Sequence, residues 1–173
     1  MAVNRGKQFE GIIQQCFEKV LDTSVVRLHD QTTGYIGSSN HCDFIVYREP
    51  IECHIECKSV HGNTLSIHSI PKPDKHGVLH GFYGNITDTQ WKGLLEKSKI
   101  PGIVAGIICW WIDKDITKFI PITTLQTLYD NGYKSINYNL ISLPQMQIHG
   151  IKKRVFFDYD MESFLQEAGK WAK

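Results

Sequence analysis

Apolar residues near the N-terminus recur at helical spacing. Between residues 4 and 21 they form one stripe at intervals of three and four: Phe9, Ile12, Ile13, Cys16, Phe17, Val20 and Leu21. The pattern predicts a helix capped by Asn4, with the stripe facing a core. Glu10 lies at the edge of this stripe, so its carboxylate can face a cleft beside the core. The alternative is that Glu10 is an ordinary solvated glutamate.

Three stretches of β-branched and aromatic residues follow this helix. Residues 24–28, 42–47 and 51–60 are rich in Val, Ile, Phe and Tyr, and Glu49-Pro50 marks a tight reversal before the third stretch. Short strands joined by reversals of this kind predict an antiparallel meander.

The rest of the chain predicts a helix, two strands and two short helices, at residues 87–98, 103–112, 118–122, 123–130 and 160–171. Thr87 and Gln90 form a capping box at the start of the first of these helices. The apolar run at 103–112 is typical of a central strand buried on both faces. Together the elements predict an α/β (α+β) fold with a mixed central sheet flanked by helices.

The length of 173 residues suits one domain. We expect residues 1–173 to form it, with residues 132–173 as a C-terminal extension packed on the rest. Apolar residues make up 42% and charged residues 21%, which is a globular composition. Lysine and arginine total 19 against 18 aspartate and glutamate, so overall charge gives no argument for a nucleic-acid partner. Such a partner must be inferred from a site.

No segment suggests a membrane anchor or a signal peptide. The apolar run at 103–112 is half of the roughly 20 residues that a membrane helix needs. Arg5 and Lys7 stand where a signal peptide would place its apolar core. We therefore expect a cytoplasmic protein without membrane contact, and we expect its five cysteines to be reduced.

The stretch at residues 52–58 carries the candidate chemistry. As a strand it places Glu52, His54, Glu56 and Lys58 on one face and Cys53, Ile55 and Cys57 on the other. Such an ionic row can simply be a solvated sheet face. Asp43, however, begins the apolar run of the preceding strand, where a carboxylate is costly unless a partner or cation compensates it.

Asp43 and Glu56 can converge on one cation, because neighbouring strands lie about 4.8 Å apart. Two carboxylates and one backbone carbonyl, that of Cys57, suit Mg²⁺, which retains several waters. Lys58 would point its ammonium at the same place. This arrangement suits phosphodiester hydrolysis, in which the cation offsets phosphate charge and the lysine orients or deprotonates the nucleophile.

The residues Asp43 and Glu56-Cys57-Lys58 spell the D-(x)n-E-x-K signature of the PD-(D/E)XK nuclease superfamily. With Asn4-Arg5-Gly6 opening the first helix, Glu10 within it and Gln90 in the second helix, the chain resembles the RecU-type Holliday junction resolvases. The resemblance runs from Asn4 to about Asn131. It implies a restriction-endonuclease-like core of helix, three strands, helix and strand.

The resemblance also implies a function. It predicts a homodimeric endonuclease that uses Mg²⁺, or Mn²⁺ in its place, to resolve Holliday junctions or other branched DNA in recombination and repair. Asp43 and Glu56 would bind the metal with Glu10 assisting, and Lys58 would be the catalytic lysine. Arg5 and Gln90 would contact DNA or orient the site, although the capping box already explains Gln90 structurally.

The chain departs from this family in one segment. RecU-like proteins have a long projection before the motif aspartate, whereas here residues 31–40 form a short Gly/Ser/Thr-rich stretch without lysine or arginine. We expect this stretch to contribute little electrostatic attraction to DNA.

Other functions stay open. The chain could be a restriction-like or repair nuclease on duplex DNA, or a junction-binding protein without catalysis. Zinc is a rival metal, but Cys53 and Cys57 in one strand would lie roughly 13 Å apart, whereas two thiolates on one zinc must lie within about 5 Å. A zinc site would have to be built from other residues, and the neighbouring His41, Cys42, His54 and His61 offer nitrogen and sulphur ligands.

Overall fold

The computed structural model, which describes residues 4–28, 40–67, 76 and 84–172, contains a six-stranded mixed sheet with helices on both faces. The helices are α1 (Arg5–Glu18), α2 (Asp88–Lys97), α3 (Ile122–Asp130) and α4 (Met161–Gly169), with a 3-10 turn at Ile112–Lys114. The strands are β1 (Ser24–Arg27), β2 (Phe44–Arg48), β3 (Ile51–Val60), β4 (Thr64–Ser66), β5 (Ile103–Trp111), β6 (Ile116–Pro121), β7 (Ser135–Asn137), β8 (Met146–Gln147), β9 (Gly150–Lys152) and β10 (Phe157–Tyr159).

The main sheet has the strand order β1-β2-β3-β5-β6-β8. The predicted antiparallel meander is confirmed, because β1 pairs with β2 and β2 with β3 in antiparallel register. The β3–β5 pairing is parallel, and the crossover between these strands includes α2. Two further pairs, β4 with β7 and β9 with β10, form small separate sheets.

Helix α1 begins as predicted but ends earlier. The Asn4 side chain accepts a hydrogen bond from the Lys7 backbone N–H at 3.2 Å and so caps the helix. The helix stops at Glu18, where the Val20 N–H bonds to the Phe17 carbonyl in a tighter turn. Leu21, predicted to extend the buried stripe, is 80% exposed. The prediction of a helix to residue 21 is therefore wrong at its last turn.

Strand β5 is the central strand that the apolar run predicts. Its side chains alternate between two apolar cores, one beneath α1 and α4 and the other beneath α2 and α3. Val104, Ile108 and Trp110 enter the first, and Ala105, Ile107, Cys109 and Trp111 enter the second. Full burial of one large apolar side chain stabilises a fold by about 1.5–3 kcal/mol, so this strand anchors both layers.

The second helix carries the predicted capping box. The Thr87 hydroxyl accepts from the Gln90 N–H, and the Gln90 side chain accepts from the Thr87 N–H at 2.9 Å. Helix α2 buries Leu94 in the second core and lies over β3 and β5. It therefore covers the face of β3 that carries the ionic row.

The C-terminal part of the chain contributes to the same core. Strand β8 pairs with the edge of β6, and Phe164 of α4 packs edge-on against Phe17 and Phe119, with ring centroids 5.7 and 5.2 Å away. The short strands β4 and β7–β10 are not among the predicted elements.

Within the described ranges, no helix is long and apolar enough to cross a membrane. The five cysteines are free thiols with buried side chains.

Candidate active site

Asp43 is held where β2 begins beside β3. Its backbone N–H bonds to the Ile55 carbonyl at 3.0 Å, and its carbonyl accepts from the Leu28 N–H at 2.8 Å. Its side chain turns toward β3, where Oδ2 accepts a hydrogen bond from the Cys57 N–H at 2.7 Å. The Asp43 carboxylate therefore accepts the Cys57 N–H in place of a backbone carbonyl, which would otherwise continue the β2–β3 pairing.

Cys57 faces the site with its backbone and the core with its side chain. The thiol is buried with Phe9 and Phe44 in the first core, where burial raises its pKa well above the ordinary value. Because the N–H and C=O of one strand residue point to the same edge, the Cys57 carbonyl also faces the β2 edge beside Asp43. The carbonyl can thus act as an oxygen ligand while the thiol cannot.

Glu56 is the most buried carboxylate of the site, with its side chain 4% exposed. Its Oε1 accepts from Lys58 Nζ at 2.7 Å and from Gln90 Nε2 at 2.6 Å. Gln90 Oε1 lies 3.3 Å from Lys58 Nζ. Glu56, Lys58 and Gln90 therefore form a closed triangle of contacts.

Burial and neighbouring charge raise the pKa of Glu56 to about 8. Desolvation of the carboxylate is the main cause, and the negative charges of Asp43 and Glu10 add to it. Lys58 acts in the opposite direction without cancelling these effects. The carboxylates of Asp43, Glu56 and Glu10 thus lie close enough for the charge of one to shift the pKa of another, in a place that water solvates poorly.

Glu10 extends from α1 toward this group. Burial is the main cause that raises the pKa of Glu10, and the charge of Asp43 raises this pKa further. Arg27 and Lys58 act in the opposite direction and lower it. Its Oε2 forms an ion pair with the Arg27 guanidinium at 2.6 Å. The interpretation of Glu10 as a solvated glutamate is therefore not supported, because the side chain is partly buried beside Asp43.

Arg27 is a site neighbour that the sequence patterns did not indicate. It is the last residue of β1, and its guanidinium lies 5.7 Å from the centre of the Phe44 ring while it holds Glu10. Its role depends on how α1 packs against β1, which no local pattern reveals.

Gln90 contacts both the N-terminus of its own helix and the buried carboxylate of β3. Its side chain closes the capping box of α2, and the same amide bonds to Glu56 and approaches Lys58. Helix α2 thereby connects its N-terminus to the ionic face of β3.

None of the contacts described for the site involves Arg5. It is exposed at the first turn of α1. The next residue, Gly6, lies near the end of β3, since a Cβ on it would be 3.8 Å from Ser59 Oγ. Arg5 is thus an accessible cation near the end of the strand that carries Lys58.

The ionic row of β3 is partly an interior face. His54 and Glu56 are buried beneath α2, whereas Glu52 and Lys58 lie nearer to solvent. The predicted alternation of faces is correct, but the face is not a solvated one. Residues 31–39, most of the short stretch that replaces the family's projection, lie outside the described residues.

A second group of polar side chains joins His54, two residues before Glu56 on the same face of β3, to two residues that precede β2. His41, Cys42 and His54 each present one nitrogen or sulphur atom within 4.8 Å of the others. Burial raises the pKa of Cys42 to about 12, and burial with the neighbouring His54 lowers the pKa of His41. His61, also considered for zinc, instead contacts Asp113 at 2.9 Å.

Compared with known proteins, the chain matches no family model, and no curated protein matches it significantly. Inferences about this site therefore depend on its own geometry and on the motif.

Proposed function

We propose that this chain is a metal-dependent endonuclease that hydrolyses phosphodiester bonds in branched DNA and resolves Holliday junctions. The observation that carries the proposal is the convergence of Asp43, Glu56 and Lys58 at the point where β2 and β3 meet. These are the three residues of the D-(x)n-E-x-K signature. Glu10 joins them from α1, as it would in a RecU-type enzyme.

The proposal extends to the fold. The order of α1, an antiparallel β1–β2–β3 meander, α2 and a strand parallel to β3 agrees with a restriction-endonuclease-like core. In that interpretation β6, α3 and the C-terminal elements are additions to the core.

The donor set fits Mg²⁺, with Mn²⁺ as a substitute. Asp43 and Glu56 offer carboxylate oxygens, and the Cys57 carbonyl points to the same edge, which gives the hard oxygen ligands that Mg²⁺ prefers. A divalent cation there would also neutralise the negative charge of these carboxylates, which Lys58 alone does not balance. When bound, Mg²⁺ would supply Lewis-acid stabilisation of the negative charge that develops on the phosphate.

The side chains of this chain have separate tasks in the proposal. Lys58 supplies a positive charge and a proton-transfer group beside the scissile phosphate, at an ammonium that Glu56 and Gln90 hold in place. Arg27 keeps the Glu10 carboxylate oriented. Arg5 is free to contact a backbone phosphate from its exposed position on α1.

The substrate determines the expected assembly and location. A four-way junction has two-fold symmetry and needs two matched nicks, which a C2 homodimer with two identical sites would deliver. Action on DNA in phage or bacterial recombination implies a cytoplasmic protein, and free cysteines suit a reducing compartment.

The test is cleavage of labelled four-way junction, duplex, flap and single-stranded DNA, with Mg²⁺ and with excess EDTA. We expect paired nicks in the junction with Mg²⁺ and no product in EDTA. Equal cleavage of plain duplex would favour a restriction-like or repair nuclease. Junction binding without product in any metal would favour a binding protein, and full cleavage in EDTA would contradict the proposed metal dependence.

A further inference from the structure

Three side chains with metal-ligating atoms meet under helix α2. His41 and Cys42 precede β2, and His54 lies on the β3 face that α2 covers. His41 Nε2 lies 2.8 Å from His54 Nδ1, and Cys42 Sγ lies 3.9 Å from the same nitrogen. His54 Nδ1 is therefore the centre of the group.

Glu52 orients this histidine from its other side. His54 Nε2 lies 2.6 Å from Glu52 Oε1, so Nε2 carries the proton and Nδ1 presents a lone pair toward His41 and Cys42. A carboxylate that holds the distal N–H of a histidine is the usual support of a metal-binding imidazole. Two imidazoles, a thiol and a supporting carboxylate thus occupy one place.

We propose that His41, Cys42 and His54 form a Zn²⁺ site that is separate from the candidate active site. Nitrogen and sulphur ligands suit zinc, whereas Mg²⁺ takes oxygen ligands. Three protein ligands leave the fourth tetrahedral position for water.

The present distances are close to those that zinc requires. Tetrahedral geometry with bonds of about 2.05 Å to nitrogen and 2.3 Å to sulphur places two nitrogens about 3.3 Å apart and a nitrogen and a sulphur about 3.6 Å apart. The observed distances of 2.8 and 3.9 Å differ from these in opposite directions, by about half an ångström or less. Small side-chain rotations of His41 and Cys42 close the difference.

Metal binding has a simple proton balance. The Cys42 S–H bond breaks, its proton leaves to solvent, and the sulphur binds the cation. In the metal-free protein the His41 proton lies on Nε2, which donates to the His54 Nδ1 lone pair at 2.8 Å. On zinc binding that proton leaves Nε2 and Nδ1 takes one up from solvent, so the neutral His41 ring binds the cation through Nε2. Each Zn²⁺ therefore releases one proton from the protein.

The position of the site would let bound zinc connect two segments of the chain. Cys42 directly precedes Asp43, and His54 lies two residues before Glu56 in β3. Zinc would tie the segment before β2 to β3 and so hold the Asp43 backbone in place. Gly93 of α2 leaves room for the His41 ring, because a Cβ there would lie 2.3 Å from His41 Cβ.

The experiment uses the full chain, stripped with a chelator and then dialysed against Zn²⁺ without DNA. Elemental analysis should find one zinc per chain, and excess Mg²⁺ should not displace it. Replacement of zinc by Co²⁺ should give the thiolate-to-cobalt charge-transfer absorption of a Cys-ligated tetrahedral site. Absence of retained zinc and of that absorption would overturn the proposal.

Variants assign the site to its residues. Cys42→Ser should abolish the charge-transfer absorption, whereas Cys53→Ser should keep it, because the Cys53 thiol faces the other core. Glu52→Gln, at a side chain that is 39% exposed, should weaken zinc binding by about 10–100-fold without removing a ligand. If Cys42→Ser does not fold, loss of the bound metal in His41→Asn gives the same test. Unchanged absorption in the folded Cys42 or His41 variant would refute the assignment.

Discussion

Lys58 is the residue whose role can be separated most cleanly from metal binding. Its ammonium contacts Glu56 and Gln90, while its side chain is 19% exposed and therefore reaches solvent. We predict that Lys58→Ala lowers the cleavage rate by about 10²–10⁴-fold, because the proposed function assigns to Lys58 the proton-transfer role beside the phosphate. Junction affinity should change little, and single-turnover cleavage with a parallel binding assay measures both.

Lys92→Ala is the matched control for this lysine. Lys92 lies on α2. The ion pair described for it joins it to Asp88, one helical turn away. Its loss should leave cleavage within about twofold of the parent rate, because exposed ion pairs of this kind are weak. Equal losses in both variants would show that Lys58 acts merely through overall charge.

The limits of sequence reasoning are visible at single residues. Asp43, Glu56 and Lys58 could be identified because strand alternation and the motif spacing are local properties. The ion pair between Glu10 and Arg27 could not, since it depends on how α1 packs across β1. The contact between His41 and His54 likewise depends on β2–β3 register, in which Ile45 lies opposite His54.

At the scale of elements, Gln90 of helix α2 serves both the stability of the helix, through its capping box, and the candidate active site, through its contact with Glu56. Thr87→Ala removes the cap but leaves the Gln90 contacts to Glu56 and Lys58 possible. We predict that it lowers the free energy of unfolding by about 1 kcal/mol while cleavage persists. Gln90→Ala should lower both stability and cleavage, because it also removes the donor to Glu56 at 2.6 Å.

Urea unfolding and cleavage rates measured on the two variants separate these roles. If Thr87→Ala reduced cleavage as strongly as Gln90→Ala, the position of the helix rather than the amide itself would matter for the site.

The N-terminal cap of helix α4 should contribute to stability in a pH-dependent way. The backbone N–H and hydroxyl of Ser163 donate to Asp160 and lower its pKa below the ordinary 3.8. The ionised cap therefore stabilises the fold fully above that pH, and the stabilisation declines as the pH falls below it. We predict that Asp160→Ala costs about 1 kcal/mol near neutral pH and less at about pH 3.

Urea unfolding at the two pH values measures this difference, and Asp160→Asn should retain most of the cap. An equal cost for the alanine variant at both pH values would mean that the charge of Asp160 does not contribute.

Elements differ in how far the sequence could predict them. Helices α1 and α2 carry their caps and apolar stripes within their own segments, and β5 is a continuous apolar run, so local reasoning identified them. Strands β4 and β7 have three residues each and exist through pairing with each other, in which Leu65 lies opposite Ile136, 71 positions later in the chain. No local pattern specifies such a partner.

At the scale of the whole molecule, the proposed function requires two sites. We predict a homodimer of about twice the 19.8 kDa chain mass, because two matched nicks in a symmetric junction need two symmetric active sites. Sedimentation equilibrium with and without a four-way junction measures the mass. A monomer that still produced paired nicks in one junction would contradict this prediction.

The most direct test of the metal-dependent site is the Glu56→Gln variant on a labelled four-way junction. Glutamine keeps the size of the side chain and an oxygen that Lys58 and Gln90 can contact, but it cannot ionise to the carboxylate that the proposed metal would bind. With Mg²⁺, the parent protein should nick the junction, and the variant should bind it while cleaving at least about a hundredfold more slowly. Cleavage by the variant at the parent rate would show that Asp43, Glu56 and Lys58 are not the active site.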